Sequence, residues 1–398
     1  MSLFLTDSAS NEGIVVLSHK HPTRRVLGQF TLLATLVFTA SPGRAFAQEP
    51  AAIDSPALAD VPLIDDVEAA FSRIATTGTH VMACSSGRIP KPLYRPAFTN
   101  YLFGLRNHFQ GIQRLPQPGY VAISGANRHG ADLFIVRVDD DANGSSECES
   151  EVIKRIEVDD ELGHAGGLSM LGSILAVPLY RGSPRTAKVV FYDLADPESP
   201  RRLAVEIERP GRKATATAFT RLHDGHYLVA VLSAWDRLPR RIDFYLSRTP
   251  SFNDGFDPDP LTWNVSDVGA RQGQNRSFSH FQSINFIPQA DGRLYLVGFH
   301  NNVGPQAILP GRDYADLYEV DLPAAFTAPG NPAPTVTKVA NRNFRCTDGF
   351  CSFGAAAGVF VDPATKAMTV YAAPGWLDDD KLKMTVYPTL SEESSTPQ

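Results

Sequence analysis

Three histidines head a phrase that the chain repeats. His108-Phe109-Gln110-Gly111-Ile112 returns as His280-Phe281-Gln282-Ser283-Ile284, and a variant, His164-Ala165-Gly166-Gly167-Leu168, lies between them. In each copy a bulky apolar residue follows seven positions after the histidine: Leu115, Leu171 and Ile287. Imidazole binds transition metals without thiolate partners, so three rings meeting at one point would suit a divalent ion. The same rings can carry a proton in acid–base catalysis near neutral pH. His164, His108 and His280 are therefore the candidate catalytic residues and the candidate metal ligands. Gln110 and Gln282, two places after their histidines, are candidate substrate-binding or ligand-orienting groups. Arg212 and Lys213 precede Thr215, which holds the matching position in another part of the chain, and would offer positive charge to an anionic sugar or carboxylate. Each assignment has a plainer rival. A histidine that opens a strand often ties neighbouring strands together, and basic residues in a turn are often only solvated.

A second candidate is Asp139-Asp140-Asp141-Ala142-Asn143-Gly144, which matches the opening of a calcium loop. Asp139, Asp141 and Asn143 would alternate as oxygen donors, and Gly144 permits the sharp turn. The closing glutamate is missing: Ser150 stands at its place and Glu151 is one late. An acidic hairpin tip is the preferred reading. The chain has no His-Glu-x-x-His, no Gly-x-Ser-x-Gly and no phosphate-cradling glycine loop. For a glycosidase pair of carboxylates, Asp313 and Asp160-Glu161 precede strands and would reach a channel mouth. Asp132 and Asp316 match each other within later strands and read as structural.

The elements that must position these groups are short strands. Ala131-Asp132-Leu133-Phe134 and Ala315-Asp316-Leu317-Tyr318 echo each other, so the repeat extends well beyond one phrase. Apolar runs punctuated by Gln117-Pro118-Gly119, Asp224-Gly225 and Asp291-Gly292 predict four-stranded groups over 111–158, 167–207, 216–265 and 283–339. A last group, over 358–387, is one strand short. Such groups at intervals of about 50 to 70 residues predict an all-β fold, a β-propeller. Five blades are expected, or six if residues 64–107 supply another. The short last group predicts closure by an N-terminal strand, from 79–83 or 93–102. In a propeller the first strand of each blade lines the central channel, so same-register histidines would gather at one end of it.

Phe191-Tyr192-Asp193-Leu194-Ala195-Asp196-Pro197, followed by Pro200, is similar to a strand-and-turn phrase of secreted bacterial β-propeller proteins. The resemblance runs over most of residues 105–390. It implies the fold and export, and no particular activity. Three histidines around an axial metal also resemble two propeller arrangements. One is that of oligogalacturonate lyases, with a metal held by histidines and a glutamine; the other is that of carotenoid-cleaving oxygenases, with iron held by four histidines. The chain matches neither sequence pattern, and no fourth histidine shares the register.

Composition and the N-terminus set the compartment. The chain of 398 residues is 43% hydrophobic, ample for a core, and its formal charge of −6 leaves no basic surplus for a nucleic-acid backbone. Thr23-Arg24-Arg25, the apolar stretch 26–40 and Ala45-Phe46-Ala47 follow the order of a signal peptide cleaved after Ala47, with no stable membrane span afterwards. The paired arginines also suit twin-arginine export. The expected organisation is a signal peptide at 1–47, a linker with a short helix (64–75) at 48–78, the propeller at 79–390 and a disordered tail at 391–398. Four cysteines fit an oxidising compartment: Cys346 and Cys351 close a small loop, which leaves Cys84 and Cys148 to pair.

These readings converge on a periplasmic or extracellular monomer, a β-propeller enzyme acting on a carbohydrate or small polar ligand at the channel mouth. Polysaccharide lyase or hydrolase is the expected chemistry, with a divalent metal at the channel and calcium at the acidic loop as the cofactors to test. The alternative is a non-catalytic ligand-binding or protein-interaction propeller. Repeat similarity favours binding, whereas the departures at Thr215 and Lys213 favour one asymmetric site.

Overall fold

Apolar runs interrupted by Gly, Asp and Pro leave the chain little choice but short strands and tight turns. The computed structural model describes residues 61–89, 108–127, 130–139, 150–181, 186–233, 240–301, 312–323, 333–347, 349–378 and 380–390. The expectations for the signal peptide, residues 93–102, Asp141, Asn143, Cys148 and the tail lie outside the described residues. Helix α1 (Val67–Ser72) comes first, then strand β1 (Thr79–Cys84). A first meander is β2 (His108–Arg114), β3 (Tyr120–Asn127), β4 (Gly130–Arg137) and β5 (Ser150–Asp159). A second is β6 (His164–Ala165) with β7 (Ser169–Leu171), then β8 (Ile174–Arg181), β9 (Thr186–Asp193) and β10 (Arg201–Glu208). A third is β11 (Ala216–Arg221), β12 (Tyr227–Ser233), β13 (Arg241–Leu246) and β14 (Leu261–Asn264). After the short β15 (Gly269–Ala270) come β16 (Ser283–Pro288), β17 (Leu294–Asn301), β18 (Asp313–Asp321) and β19 (Thr335–Phe344). The last strands are β20 (Ala356–Val361), β21 (Met368–Ala373) and β22 (Lys381–Tyr387).

Within each meander, neighbouring strands pair antiparallel. The expected groups appear at nearly the expected residues, and the fold is all-β, made of the repeated meanders that characterise β-propellers. β1 pairs antiparallel with β22, from Thr79 opposite Val386 to Cys84 opposite Lys381. Its far end also touches β5 in parallel, which joins the first and last meanders into one eight-stranded sheet.

The cores lie between meanders rather than within them. Phe191 of the second packs with Phe219 and Tyr245 of the third. Phe244 of the third packs with Phe286 and Tyr318 of the fourth, and Tyr295 of the fourth with Phe353 and Val370 of the last. Phe109 and Ile123 of the first pack with Leu382 and Met384 of the last, and Leu133 with Leu175 and Val190 of the second. Each meander is thus gripped on both faces, which is why its strands carry apolar residues in long buried runs instead of strict alternation.

At the centre the inner strands β2, β7, β11, β16 and β20 come into backbone contact. An added Cβ at Gly358 would stand 2.1 Å from the Ile112 carbonyl oxygen, and one at Gly167 would stand 2.4 Å from that of Gln282. No side chain fits at those points.

The segment before β1 belongs to the same core. Asp66 caps α1 by accepting from the Ala69 N–H at 2.9 Å. The helix is shorter than the apolar spacing predicts because its flanks are drawn into sheet edges: Ile64 bridges Gln289 and Ile74 bridges Thr389. Ile64, Val67, Phe71 and Ile74 are all buried against the fourth and last meanders. Cys346 and Cys351 form a disulfide, and Cys84 is also disulfide-bonded.

A Gly358→Ala protein is expected to be less stable by about 1–3 kcal/mol, because backbone must move to admit the methyl group. Urea unfolding checks this, and an unchanged midpoint would mean that the inner strands can part at no cost.

Candidate functional site

The inner strands all run the same way, as the parallel bridge from Gly167 to Ala216 illustrates, so their first residues share one end of the axis. His108 opens β2 and His164 opens β6. Their rings stand nearly perpendicular with centroids 5.9 Å apart. Nε2 of His108 lies 2.7 Å from the Gln110 amide nitrogen. That nitrogen is a donor only, so with the amide in this orientation the ring accepts on Nε2 and, when neutral, carries its proton on Nδ1. The Gln110 side-chain oxygen in turn accepts from the Gln282 amide. Two repeats are thereby wired together, His108 to Gln110 to Gln282, with both glutamines buried.

His164 leans on the Tyr180 ring at 4.7 Å, and the Lys213 ammonium lies 5.7 Å from the centroid of that ring. The sequence-derived residues His108, Gln110, His164, Lys213 and Gln282 therefore form one connected patch. Tyr180, which ends next to His164 by strand pairing, was not singled out from the sequence. No repeat signal marks it.

His280 is placed differently. Its meander begins pairing only at Ser283, so His280 precedes the strand and is exposed. Partial desolvation, and then the charges of Arg240 and His300, hold its pKa below the ordinary value. Among the described residues no group of three or more His, Cys, Asp or Glu side chains is arranged to hold a metal ion.

Carboxylates divide into two kinds. Asp132 and Asp316 are fully buried and paired, Asp132 with Arg155 at 2.9 Å and Asp316 with Lys338 at 2.9 Å. Burial pushes the Asp316 carboxyl up, but the His300 ring and Lys338 more than reverse this and leave it below the ordinary range. Asp243 is a third copy at the same place in β13, bonded to buried Arg209 and 3.3 Å from Arg212. Arg212 is thus tied to a structural acid. The sequence signal for Asp243 was present, since Asp243-Phe244-Tyr245 echoes Asp316-Leu317-Tyr318.

Asp313 is the other kind. It opens β18 at the histidine end of the sheets, is 4% exposed, and accepts from the Phe353 N–H at 2.6 Å. Burial raises its pKa to about 6, against the opposing pull of the Phe353 N–H and the His300 charge. A carboxyl poised there can donate a proton at working pH. Of the acidic loop, only Asp139 is described, and its N–H donates to Ser150 Oγ at 2.9 Å. Asp193 in the Phe191–Pro197 phrase accepts from the Ser173 hydroxyl and the Ala195 N–H, so the phrase holds a turn.

No known protein family matches the sequence, and no curated protein matches it. Among solved structures, a GH43_1 enzyme from Xanthomonas citri superposes with a TM-score of 0.40 at 10% identity, covering 71% of this chain and 89% of that one. An endo-arabinase from Bacteroides thetaiotaomicron gives 0.40 at 10% identity over 73% of this chain and 95% of that one. The haemagglutinin-neuraminidase ectodomain of parainfluenza virus 5 gives 0.41 at 8% identity over 83% and 89%. Scores at this level carry no argument about fold or chemistry.

Asp313 also predicts a pH dependence. Unfolded, its carboxyl ionises near the ordinary 3.8; folded, it ionises near 6. Between these values the folded chain holds more protons, so this group's contribution falls as pH rises from about 4 to 6, by up to about 3 kcal/mol. Asp313→Asn, which can still accept from Phe353, should flatten that slope. Urea midpoints measured from pH 4 to 7 check it, and an unaltered slope would place the raised pKa elsewhere.

Proposed function

We propose that the chain is an extracytoplasmic five-bladed β-propeller, its last blade completed by β1, that acts on a carbohydrate at the histidine end of the axis. The observation that carries this reading is the patch itself: two imidazoles 5.9 Å apart, Tyr180 and Lys213 beside them, and an amide relay behind. Polar donors and acceptors around an aromatic face suit a polyhydroxylated ring, and Lys213 suits a carboxylate on it. The Cys346–Cys351 disulfide fits an oxidising compartment, and among the described residues no helix is long and apolar enough to cross a membrane.

The chemistry best matched to these groups is lyase-type elimination from a uronate. Lys213 neutralises the carboxylate, which acidifies the adjacent carbon-bound proton. His164 removes that proton, the electron pair forms a carbon–carbon double bond, and the glycosidic carbon–oxygen bond breaks. The departing oxygen takes its proton from water. Gln110 and Gln282 are bonded to each other and buried, so they hold His108 in place rather than meet substrate. That same satisfaction favours the second reading, a pocket that binds without turnover.

Purified protein is expected to release unsaturated product from a uronate-containing polysaccharide, with absorbance near the ultraviolet edge as the readout. His164→Ala should cut the rate by about 100-fold or more while leaving the urea midpoint within about 1 kcal/mol. New reducing ends without unsaturation would replace elimination by hydrolysis. Saturable glycan binding without product would establish the binding reading. Stoichiometric bound metal, lost in His164→Ala, would restore the three-histidine centre.

A further inference from the structure

The opening of β13 carries more positive charge than its acid can match. Asp243, fully buried, is faced by three guanidinium groups: Arg209, also buried, which donates to it, Arg212 at 3.3 Å and Arg241 at 3.7 Å. Among the described residues no other carboxylate lies within ion-pair distance of these three arginines. One carboxylate neutralises one guanidinium, and burial gives that role to Arg209, because an unpaired charge away from water is costly. Arg212 and Arg241 keep 32% and 27% of their side chains in solvent. Their two charges are in surplus, where a ligand can reach them.

Arg240 adds a third. It is half-buried, and its guanidinium donates to the Phe278 carbonyl at 2.9 Å. Among the described residues no carboxylate pairs with it. A backbone carbonyl orients a guanidinium without neutralising it. The charge is felt nearby: partial burial first, and then Arg240, depress the pKa of His280.

These cations border the histidine patch. Arg241 pairs in register with Ser233, whose hydroxyl donates to the Lys213 carbonyl at 2.9 Å. The Lys213 ammonium lies by the Tyr180 ring, and that ring by His164. Exposed acids at the same end, Asp160, Glu161 and Glu208, belong to the first and second meanders. Positive charge therefore gathers on the side of the third meander, where its mutual repulsion is relieved by an anionic ligand.

We propose that the ligand of the histidine patch is a polyanionic glycan several acid sugars long, which leaves Lys213 across the opening of β13 and lays its carboxylates on Arg212, Arg241 and Arg240. This deepens the uronate reading and rests on it for the ligand's place at the histidine end. A single uronate needs Lys213 alone; the surplus beyond it is matched only by a chain of charges.

Fluorescently labelled polygalacturonate is the probe, titrated at several salt concentrations. Its methyl ester keeps the backbone without the charge and should bind at least about tenfold more weakly. Arg241→Gln leaves Asp243 paired with Arg209, and Arg240→Gln breaks no ion pair. Each should lower the slope of log affinity against log salt by about 1. An ester that binds as tightly as the acid, or a slope unchanged in either variant, overturns the proposal. So does a single-stranded oligonucleotide that binds more tightly than polygalacturonate. If Arg241→Gln fails to fold, Arg240→Gln decides alone. His164→Ala should keep both affinity and slope, so charge-dependent binding without elimination removes the uronate chemistry and leaves this inference standing.

Discussion

Everything at the centre of this molecule follows from how closely the inner strands approach. Where a Cβ at Gly166 would stand 2.1 Å from the Thr215 carbonyl oxygen and one at Gly111 2.7 Å from the Leu168 N–H, neighbouring backbones are in van der Waals contact. Glycine is therefore required by space, not by conformation, since none of Gly111, Gly166, Gly167 or Gly358 has a positive φ. Among the described residues these approaches bring the inner strands together at the centre. Polar side chains of facing inner strands pair with one another there, Gln110 with Gln282 and Gln113 with Asn285. Ser124 adds a bond to the Gly166 carbonyl at 2.7 Å.

A tightly closed centre forces any ligand to the two ends, and the ends differ chemically. Strand starts bring imidazole, amide, ammonium and a buried carboxyl, because each inner strand is entered there from a loop. Strand finishes bring Leu171, Phe286 and Val361, the apolar positions that anchor each inner strand to its neighbours. The same repeat therefore makes a polar mouth and an apolar one. Neither needs a departure from the fold.

The repeated phrase made much of this legible. Its period located the meanders. The phrase could not show that β16 begins three residues late, which leaves His280 exposed while His108 and His164 face each other. Pairing onset depends on what the partner strand offers, and β17 offers Phe299 opposite Ser283 as its first register pair with β16. The helix is shorter than its spacing predicts for a related reason: Ile64 and Ile74 have helical spacing, yet each bridges a sheet edge. Asp313 was visible only as an acid before a strand. Its raised pKa comes from burial, which outweighs the lowering pull of the Phe353 N–H about forty residues away in the chain.

The buried acids supply the contrast that singles Asp313 out. Asp132, Asp243 and Asp316 hold one position in three meanders, and each has a cation within reach. In the second meander, Lys188 stands there instead, and its partner is Asp159 of the first at 2.8 Å. The position thus keeps a neutralised pair even when the sign of the charge is reversed, as low dielectric demands: an unpaired buried charge costs several kcal/mol, whereas a pair roughly breaks even. Asp313 is as buried as these acids but receives one backbone N–H and only the distant influence of His300. Its carboxyl resolves the same cost by keeping its proton up to about pH 6. The structural acids are each matched by a cation and hold strands together. Asp313 keeps its charge conditional on pH, buried where β18 opens against Phe353, because among the described residues no cation is close enough to hold it ionised.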